Sequence, residues 1–380
     1  MKPETLSRLT ALRHELHQFP ELSGEEQKTA ARVADLLRSL GAGRVLTDIG
    51  GHGVAAVYDS GHPGPCVAIR CELDGLPIQE LSSAPYVSRV AGKGHLCGHD
   101  GHMAMVLGVA QDLRDNPPKS GRVVLIFQPA EETGKGAAAY RADPRFSEFS
   151  PDYVFSLHNL PGLDLGHVEI CQRAANCASR GMRVVLTGKT SHAAAPEDGI
   201  SPIGARAWLL PELAGLGTGG PLTDNFALTT VTHASLGEQT FGVAPGQAEI
   251  WVTLRTVSDG RMKNLVEEAE TLVGRAANKA GLQVEITYDD IFEACTNDTE
   301  AVKILSDACA SRNVAYQITS EPQKFSEDFG QFGKAAKTAM FWLGAGADHP
   351  QLHNPDYDFP DALIPVGATV LSAAIRSLVG

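Results

Sequence analysis

The first 41 residues carry apolar positions at a helical spacing. Between residues 4 and 19 they recur at three- and four-residue steps, the period of an amphipathic helix, and Pro20 ends the pattern. A second helix is predicted from about Ser23, a suitable N-cap, to Gly41, with Glu26 in the position of a capping box. Two amphipathic helices are therefore expected at the start of the chain.

The apolar runs that follow are short and are bounded by glycine, proline or polar residues, a pattern typical of buried strands. They occupy residues 54–58, 65–70, 122–127, 153–157 and 339–343. A final helix is predicted over 362–378. Strands of this kind, with helices between several of them, favour an α/β fold.

From about residue 179 the pattern changes. Alternating or apolar strands are predicted over 182–187, 226–231, 248–256 and 284–288, and helices over 203–213 and 262–280. Strand, helix, strand, strand, helix, strand is the ferredoxin-like order. We therefore expect a second domain, residues 179–289, inserted into a discontinuous first domain made of residues 1–178 and 290–380.

Length, charge and cysteine usage narrow the class of protein. A chain of 380 residues exceeds what one core usually supports, and 43% hydrophobic with 20% charged residues is ordinary for a soluble protein. The net charge of −13 argues against nucleic acid or an anionic membrane as a partner. No apolar run reaches the length of a membrane span, no signal peptide is recognised, and seven scattered cysteines favour reduced thiols. A cytoplasmic location is expected.

The stretch 94–102 concentrates metal-binding side chains: three histidines and one cysteine. On an extended backbone Cys97 and His99 would leave the same face, and Gly98 between them would let the backbone approach a metal closely. The apolar run 103–109 predicts a helix, so the cluster lies at a strand-to-helix junction, where active sites of α/β folds usually lie. We interpret the stretch as the anchor of a two-metal hydrolytic site. The alternative is a buried thiol beside surface histidines.

Further polar residues stand at the ends of the predicted strands or in the loops after them. They are Glu72, Asp74, Glu131, Glu132, His158 and His353. If the two parts of the first domain share one sheet, these side chains converge with the cluster at the carboxyl ends of its strands. Adjacent glutamates on a regular strand face opposite ways, so one of the two can bind metal while the other serves as a base. The alternative is that the carboxylate pairs face solvent and are inert.

Motifs spread over nearly the whole chain carry a family resemblance. They lie at residues 12–22, 72–77, 97–102, 128–132, 158, 188–192, 326–329 and 352–355. Together they resemble the amidohydrolase branch of the aminoacylase and carboxypeptidase superfamily of co-catalytic metallohydrolases. This branch contains hippurate hydrolases, auxin-conjugate hydrolases and N-acyl-amino-acid deacylases. The resemblance implies a zinc-aminopeptidase-like catalytic domain with an inserted ferredoxin-like lid that also forms a homodimer.

The resemblance also assigns roles to residues. The implied metal ligands are Cys97, His99, Glu132, His158 and His353. Glu131 matches the general base, Asp74 matches the aspartate that steadies the site, and His192 matches a lid histidine that contacts the reacting carbonyl. Two divalent ions per subunit are expected, Zn²⁺ or Mn²⁺, with Co²⁺ or Ni²⁺ also compatible. The expected substrate is a small N-acyl amino acid.

Two positions depart from the family pattern. Glu72 stands where an aspartate is usual, which adds one methylene and is expected to loosen a contact behind the metal site. Gly242 stands where an asparagine is usual in the lid, so the substrate-carboxylate clamp is incomplete, and Arg255 is the candidate that replaces it. For His192, the alternative is a structural role in the turn before Pro196.

The expected reaction is metal-assisted hydrolysis of an N-acyl bond, with Glu131 taking the proton of the attacking water and His192 helping to stabilise the oxyanion. A metal-dependent carboxypeptidase or dipeptidase of the same superfamily is one alternative. A hydrolase with Cys97 as nucleophile is another, and it would keep its activity in the presence of a chelator. A metal-buffering or sensor protein is the third, but it would need no spare base such as the second glutamate.

Overall fold

The computed structural model describes residues 1–380, which form two compact units. The first unit comprises Met1–Ala175, Cys295–Glu321 and Asp328–Gly380, and the second comprises Asn176–Ala294 and Pro322–Glu327. Each unit has a hydrophobic core of its own. The second unit includes residues 322–327, a short segment that the sequence pattern assigns to the first domain.

Nine α-helices are present. They are α1 Pro3–Gln18, α2 Gln27–Ser39, α3 His99–Asp115, α4 Gly136–Ala142, α5 Pro144–Phe149, α6 Ile203–Gly215, α7 Asp259–Ala280, α8 Thr299–Ser311 and α9 Leu363–Val379. Short 3₁₀ segments occupy Pro196–Asp198 and Asp328–Lys334. None of the helices combines the length and the apolar character that a membrane span requires.

Sixteen strands complete the secondary structure. They are β1 Arg44–Ile49, β2 Gly53–Asp59, β3 Cys66–Glu72, β4 Arg122–Gln128, β5 Tyr153–Pro161, β6 Val168–Cys171, β7 Ala174–Asn176, β8 Ala178–Thr187, β9 Ser191–His192, β10 Ala227–Leu236, β11 Val243–Ala244, β12 Gln247–Thr256, β13 Gln283–Phe292, β14 Cys295–Thr296, β15 Tyr316–Thr319 and β16 Lys337–Gly346.

The first unit is built on an eight-stranded mixed sheet with the order β1-β2-β4-β3-β5-β16-β6-β15. Its centre is parallel, because β3 pairs with β4 and β5, and β5 pairs with β16, all in the same direction. Strands β2, β3 and β4 are buried on both faces except at their ends, as their continuous apolar runs predict. The core contains side chains of α1, α2, α3, α8 and α9 together with alternate residues of the strands. The carboxyl ends of the parallel strands therefore share one edge.

The second unit has a four-stranded antiparallel sheet with the order β10-β12-β8-β13. Helices α6 and α7 pack on it, and their apolar residues, including Leu209 and Leu265, form a core with Val184 and Ile250. The chain order of strands and helices is the predicted ferredoxin-like order. The predicted fold class, an α/β domain with an inserted ferredoxin-like domain, is confirmed.

Two local predictions near the N-terminus are wrong. Helix α2 begins at Gln27, and no side chain caps it from the N-cap position. The hydroxyl of Ser23 instead donates a hydrogen bond to Asp74 at 2.7 Å. The carboxylate of Glu26 accepts hydrogen bonds from the backbone N–H groups of Gly24 and Ala130, at 2.9 and 2.8 Å. The predicted capping box is therefore not formed, and both of its polar side chains point into the first unit.

A buried ion cluster ties α1 to the start of α3. Arg13 lies 3.4 Å from Asp100 and 2.6 Å from Asp358. The imidazole of His17 lies 2.8 Å from Asp100 through Nδ1 and 3.1 Å from Glu80 through Nε2. Burial alone would lower the pKa of His17, but the two carboxylates outweigh burial and raise that pKa to about 10. His17 is therefore a buried cation in the folded protein.

Candidate metal centre

The candidate site lies at the carboxyl ends of parallel strands, as an α/β fold predicts. Asp74 follows β3 by two residues, and Glu131 follows β4 by three. His158 lies inside β5, three residues before its end, and His353 follows β16 in a loop. Because these strands are neighbours in the sheet, the polar ends of four separate segments meet at one edge.

Six side chains with ligand atoms meet there in overlapping groups. They are Cys97, His99, Glu131, Glu132, His158 and His353. Within each of three groups the ligand atoms lie within 4.8 Å of one another: Cys97 with His99 and His158, Cys97 with Glu132 and His353, and His99 with Glu131 and Glu132. The thiol and imidazole of the first group are already 3.3 Å apart, from Cys97 Sγ to His158 Nε2. The structure thus brings together all five predicted ligands and the predicted base.

Gly98 produces the turn between the two ligands of the histidine-rich stretch. Its φ of +97° is left-handed, so the predicted extended backbone is wrong, and α3 begins directly at His99. A Cβ at this position would lie 2.2 Å from Oδ1 of Asn159. The glycine is required by that side chain as well as by its φ. The turn still directs Cys97 and His99 into the same cluster.

The ring of His99 is oriented for ligation. Its Nδ1 lies 2.8 Å from the carbonyl oxygen of Asp74, which accepts a hydrogen bond when that nitrogen carries the proton. Its Nε2 is buried without a hydrogen-bond partner and lies 3.9 Å from a carboxylate oxygen of each of Glu131 and Glu132. A buried ring nitrogen facing two carboxylates at this distance leaves a space that fits a metal ion.

The ionisation of the cluster also points to a cation. Burial would lower the pKa of His99, but Asp74 and the surrounding glutamates raise it to about 10, so a proton supplies positive charge there. Burial, together with Glu132 and Glu131, raises the pKa of the Cys97 thiol well above its ordinary value. Burial and the neighbouring His102 lower the pKa of His158, which keeps this imidazole neutral. Divalent ions fit this donor set, because they would replace the proton and favour the thiolate.

The paired glutamates do not sit on a strand. Strand β4 ends at Gln128, and the chain then turns at Ala130, which has a left-handed φ of +53°. The carbonyl of Glu131 accepts a hydrogen bond from Gly134 N–H at 2.8 Å, within the same turn. The expectation of a strand with alternating faces is therefore wrong. Both carboxylates come within reach of His99 because the turn, and not a pleat, presents them.

Asp74 connects three parts of the site. One oxygen of its carboxylate accepts hydrogen bonds from Ser23 Oγ at 2.7 Å and from the backbone N–H of Glu132 at 3.0 Å, while its carbonyl oxygen faces His99. Its carboxylate is completely buried, and so is that of Glu72. Neither is a solvent-facing surface group, so this part of the alternative is wrong for this pair.

The sequence did not predict a buried polar chain behind the cluster. Glu72 contacts Arg70 on one side and His102 Nδ1, at 2.6 Å, on the other. His102 Nε2 lies 2.6 Å from Asn159 Oδ1, and the amide of Asn159 donates to the hydroxyl of Tyr357 at 2.7 Å. The longer side chain of Glu72 therefore makes both contacts, contrary to the expected loosening. The available signal was Arg70, a charged residue inside an otherwise apolar strand.

The remaining predicted residues belong to the second unit. His192 is exposed in β9, which pairs with Val243 and Ala244 of β11, and its Nδ1 accepts a hydrogen bond from the N–H of Ala194 at 3.0 Å. That contact is the turn-stabilising role considered as the alternative. Arg255 donates to Ser326 Oγ at 3.0 Å and to the Lys324 carbonyl at 3.2 Å. These two residues are not members of the cluster in the first unit.

A mixed α/β domain with an inserted ferredoxin-like domain, together with a cluster of cysteine, histidine and glutamate that is buried except at His353, indicates a metallohydrolase. Sequence comparison specifies the family, because the profile of peptidase family M20/M25/M40 matches residues 68–377. The chain belongs to this family. The sequence-based resemblance and the enzyme class, a hydrolase of amide bonds, are thereby confirmed.

Individual relatives match over almost the full length. The chain is 30% identical to the hippurate hydrolase of Campylobacter jejuni, over 93% of this chain and 92% of that protein. It is 28% identical to the N-acetylcysteine deacetylase of Bacillus subtilis (strain 168), over 95% of this chain and 94% of that protein. Among solved structures, the YXEP protein of Bacillus subtilis is a dinuclear metal binding peptidase from the M20 family. It superposes with a TM-score of 0.84 at 25% identity, over 99% of both chains.

Proposed function

We propose that this chain hydrolyses the N-acyl bond of N-acyl amino acids or related conjugates, with two divalent metal ions per subunit. The observation that carries the proposal is the set of overlapping ligand groups, in which Cys97 belongs to one group with His158 and to another with His353. A shared donor between two adjacent groups suits a pair of neighbouring ions. The substrate class is supported by the relatives, a hippurate hydrolase and an N-acetylcysteine deacetylase.

Each residue of the cluster has a proposed role. The proposed ligands are Cys97, His99, Glu132, His158 and His353; support comes from the overlapping groups of three in which their ligand atoms lie within 4.8 Å of one another. Thiolate, imidazole and carboxylate together suit Zn²⁺, and Mn²⁺ is also compatible. Divalent ions, when bound, polarise the substrate carbonyl and make water more acidic. Asp74 holds the ring of His99 and the backbone of Glu132 in place.

Glu131 is the proposed general base. Its side chain is 7% exposed and lies beside the ligand His99, so it can take a proton from an attacking water and pass it to the leaving amine. His192 is proposed to contact the reacting carbonyl and Arg255 the substrate carboxylate. A role for Cys97 as nucleophile is not favoured, because its pKa is raised well above the ordinary value, whereas nucleophilic cysteines have lowered pKa values.

The second unit is the proposed lid and dimerisation domain. On the face of its sheet opposite the helices, the large side chain of Trp251 is 46% exposed, and its burial between two subunits would stabilise a homodimer. A cytoplasmic location is also proposed. Its support is that no disulfide is formed among the seven cysteines, all of which are buried.

The test combines metal analysis with two substitutions. Protein loaded with Zn²⁺ or Mn²⁺ is expected to approach two ions per chain and to deacylate members of a panel of N-acetyl, N-benzoyl and indole-acetyl amino acids. Glu131→Gln should keep its metal and lose at least 10²-fold in kcat, since general bases contribute about 10²–10⁴-fold. Glu132→Gln should lose metal affinity instead. Protein that binds no metal at saturation, or Glu131→Gln with wild-type turnover, would contradict the proposal.

A further inference from the structure

The turn that carries the paired glutamates is held in an unfavourable backbone conformation. Ala130, with φ of +53°, is not a glycine, and the left-handed region is unfavourable for such a residue. A conformation of this kind persists only when the surrounding contacts determine it. Because Ala130 immediately precedes Glu131, its φ sets the direction in which the chain presents the next side chains. The contacts that hold Ala130 therefore bear on the geometry of the proposed base.

Buried carboxylates hold the backbone on both sides of Glu131. The N–H of Ala130 donates to Oε1 of Glu26 at 2.8 Å, and the N–H of Glu132 donates to Oδ2 of Asp74 at 3.0 Å. Hydrogen bonds from an N–H to a carboxylate are stronger than bonds between neutral groups. The residue between these two donors is thus fixed at both ends of its peptide segment.

Glu26 is itself well positioned for this contact. The residue is 0% exposed, and its Oε1 also accepts a hydrogen bond from Gly24 N–H at 2.9 Å. The loop before α2 is attached to the loop after β3 by the Ser23 to Asp74 hydrogen bond and by the bond from Gly75 N–H to the Glu21 carbonyl, at 2.8 Å. Glu26 is therefore a rigidly held acceptor, and neither the metal-ligand roles nor the proposed chemistry explains why a carboxylate is buried there.

We propose that Glu26 is a positioning residue for amide hydrolysis: its carboxylate holds Ala130 in the left-handed conformation and thereby places the Glu131 carboxylate, without binding metal or substrate itself. The inference rests on the proposed function, in which Glu131 is the base. The proposal assigns a different supporting residue to each glutamate of the turn, the metal ligand and the base. Asp74 supports the backbone of the ligand Glu132, and Glu26 supports the backbone that leads into the base.

Glu26→Asp tests the proposal, because it keeps the negative charge but withdraws the acceptor from Ala130 by one methylene. Its kcat is expected to fall by about 10²-fold, the effect of a misplacement near 1 Å, with KM and metal content close to wild type. Glu26→Gln keeps an acceptor oxygen at the same reach and should retain kcat within about threefold of wild type, given that neutral acceptors still bond. Glu25→Asp is the matched control, since this neighbouring side chain is exposed and pairs with Lys93 at the surface.

A second measurement on metal-free protein does not depend on turnover. If Glu26 offsets the strain at Ala130, then Ala130→Gly, which accepts a positive φ without cost, should remove part of the destabilisation caused by Glu26→Asp. The changes in the free energy of unfolding in urea, measured for both single variants and the double variant, should therefore be non-additive, with Glu26→Asp costing less when residue 130 is glycine. Additive effects, or a folded Glu26→Asp variant with wild-type kcat, would overturn the inference. Suppose that Glu26→Asp gives one of these contrary results. If Glu131→Gln also keeps its turnover, the proposed function itself is wrong. If Glu131→Gln is inactive, the proposed function stands and only the role of Glu26 is wrong.

Discussion

Replacing Gly98 by alanine should destabilise the first unit far more than an ordinary glycine substitution. The new Cβ would lie 2.2 Å from Oδ1 of Asn159, well inside van der Waals contact, and φ at this position is +97°. Asn159 cannot move freely, because it is fully buried and hydrogen bonded to His102 and Tyr357. The substitution therefore forces a choice between a displaced turn and a broken polar chain.

The expected cost follows from these contacts. The left-handed backbone costs alanine about 1–2 kcal/mol. Displacing Asn159 leaves at least one buried polar group unsatisfied, which costs about 1–3 kcal/mol. Together they predict a loss of about 2–5 kcal/mol in the free energy of unfolding, against a total of about 5–15 kcal/mol for a typical domain. The same displacement should weaken metal affinity, since the turn presents Cys97 and His99.

Gly162→Ala provides a matched control in the same unit. Its φ of +91° is similar, but no heavy atom lies within 4 Å of the added Cβ, so only the backbone cost of about 1–2 kcal/mol applies. Urea unfolding should be followed by the fluorescence of Trp342, in β16 of the first unit, in a background where Trp208 and Trp251 are phenylalanine. If Gly98→Ala costs no more than Gly162→Ala, the steric argument is wrong.

Two further predictions concern pH and assembly. His17 has a folded-state pKa raised to about 10 from an ordinary 6.5, so its stabilising contribution is complete below an unfolded pKa of about 6.5 and is lost as the pH rises through 10. His17→Gln should therefore reduce the thermal stability strongly at pH 6 and much less near pH 10; an equal loss at both would contradict the ion cluster. Inactive Glu131→Ala and His192→Ala subunits, mixed under exchange conditions, should regain activity if His192 acts on the partner's site. Mixed dimers without activity, from parents that hold metal, would place His192 within its own chain or outside catalysis.

The positions of the candidate ligands could be predicted because burial and topology act together. Apolar runs such as 122–127 predict buried parallel strands, and polar residues directly after such runs must lie at the shared carboxyl edge. His158 is predicted in this way, whereas His353, in a loop seven residues beyond the end of β16, is implied as a ligand by the family resemblance. Pro129 is a local signal that the strand stops near Gln128, but the pattern could not predict the left-handed turn at the non-glycine residue Ala130, because contacts from distant segments hold it.

The polar chain behind the site was missed for a related reason. Arg70 has its partners at positions 72, 128 and 328, so two of them come from distant segments. A charged residue in a buried strand requires such partners, since an uncompensated buried charge is very costly. The sequence shows that Arg70 needs partners but not which residues provide them. The identity of these partners follows only from the folded sheet, in which β3 lies beside β4.

The capping box predicted for α2 does not form, and the hydrogen bonds around Glu26 explain why. The start of α2 does not need Glu26, because the N–H of Gln27 donates to the Glu25 carbonyl and the N–H of Thr29 donates to the Glu21 carboxylate, both at 2.8 Å. The N–H of Ala130 would have no such substitute inside the fold, and an unsatisfied buried donor costs about 1–3 kcal/mol. Glu26 is free to serve the buried donor, and its Oε1 accepts from Ala130 as well as from Gly24 in its own loop. A residue that local spacing assigns to a helix end is thereby drawn to the turn of the proposed base, 104 positions away in the chain.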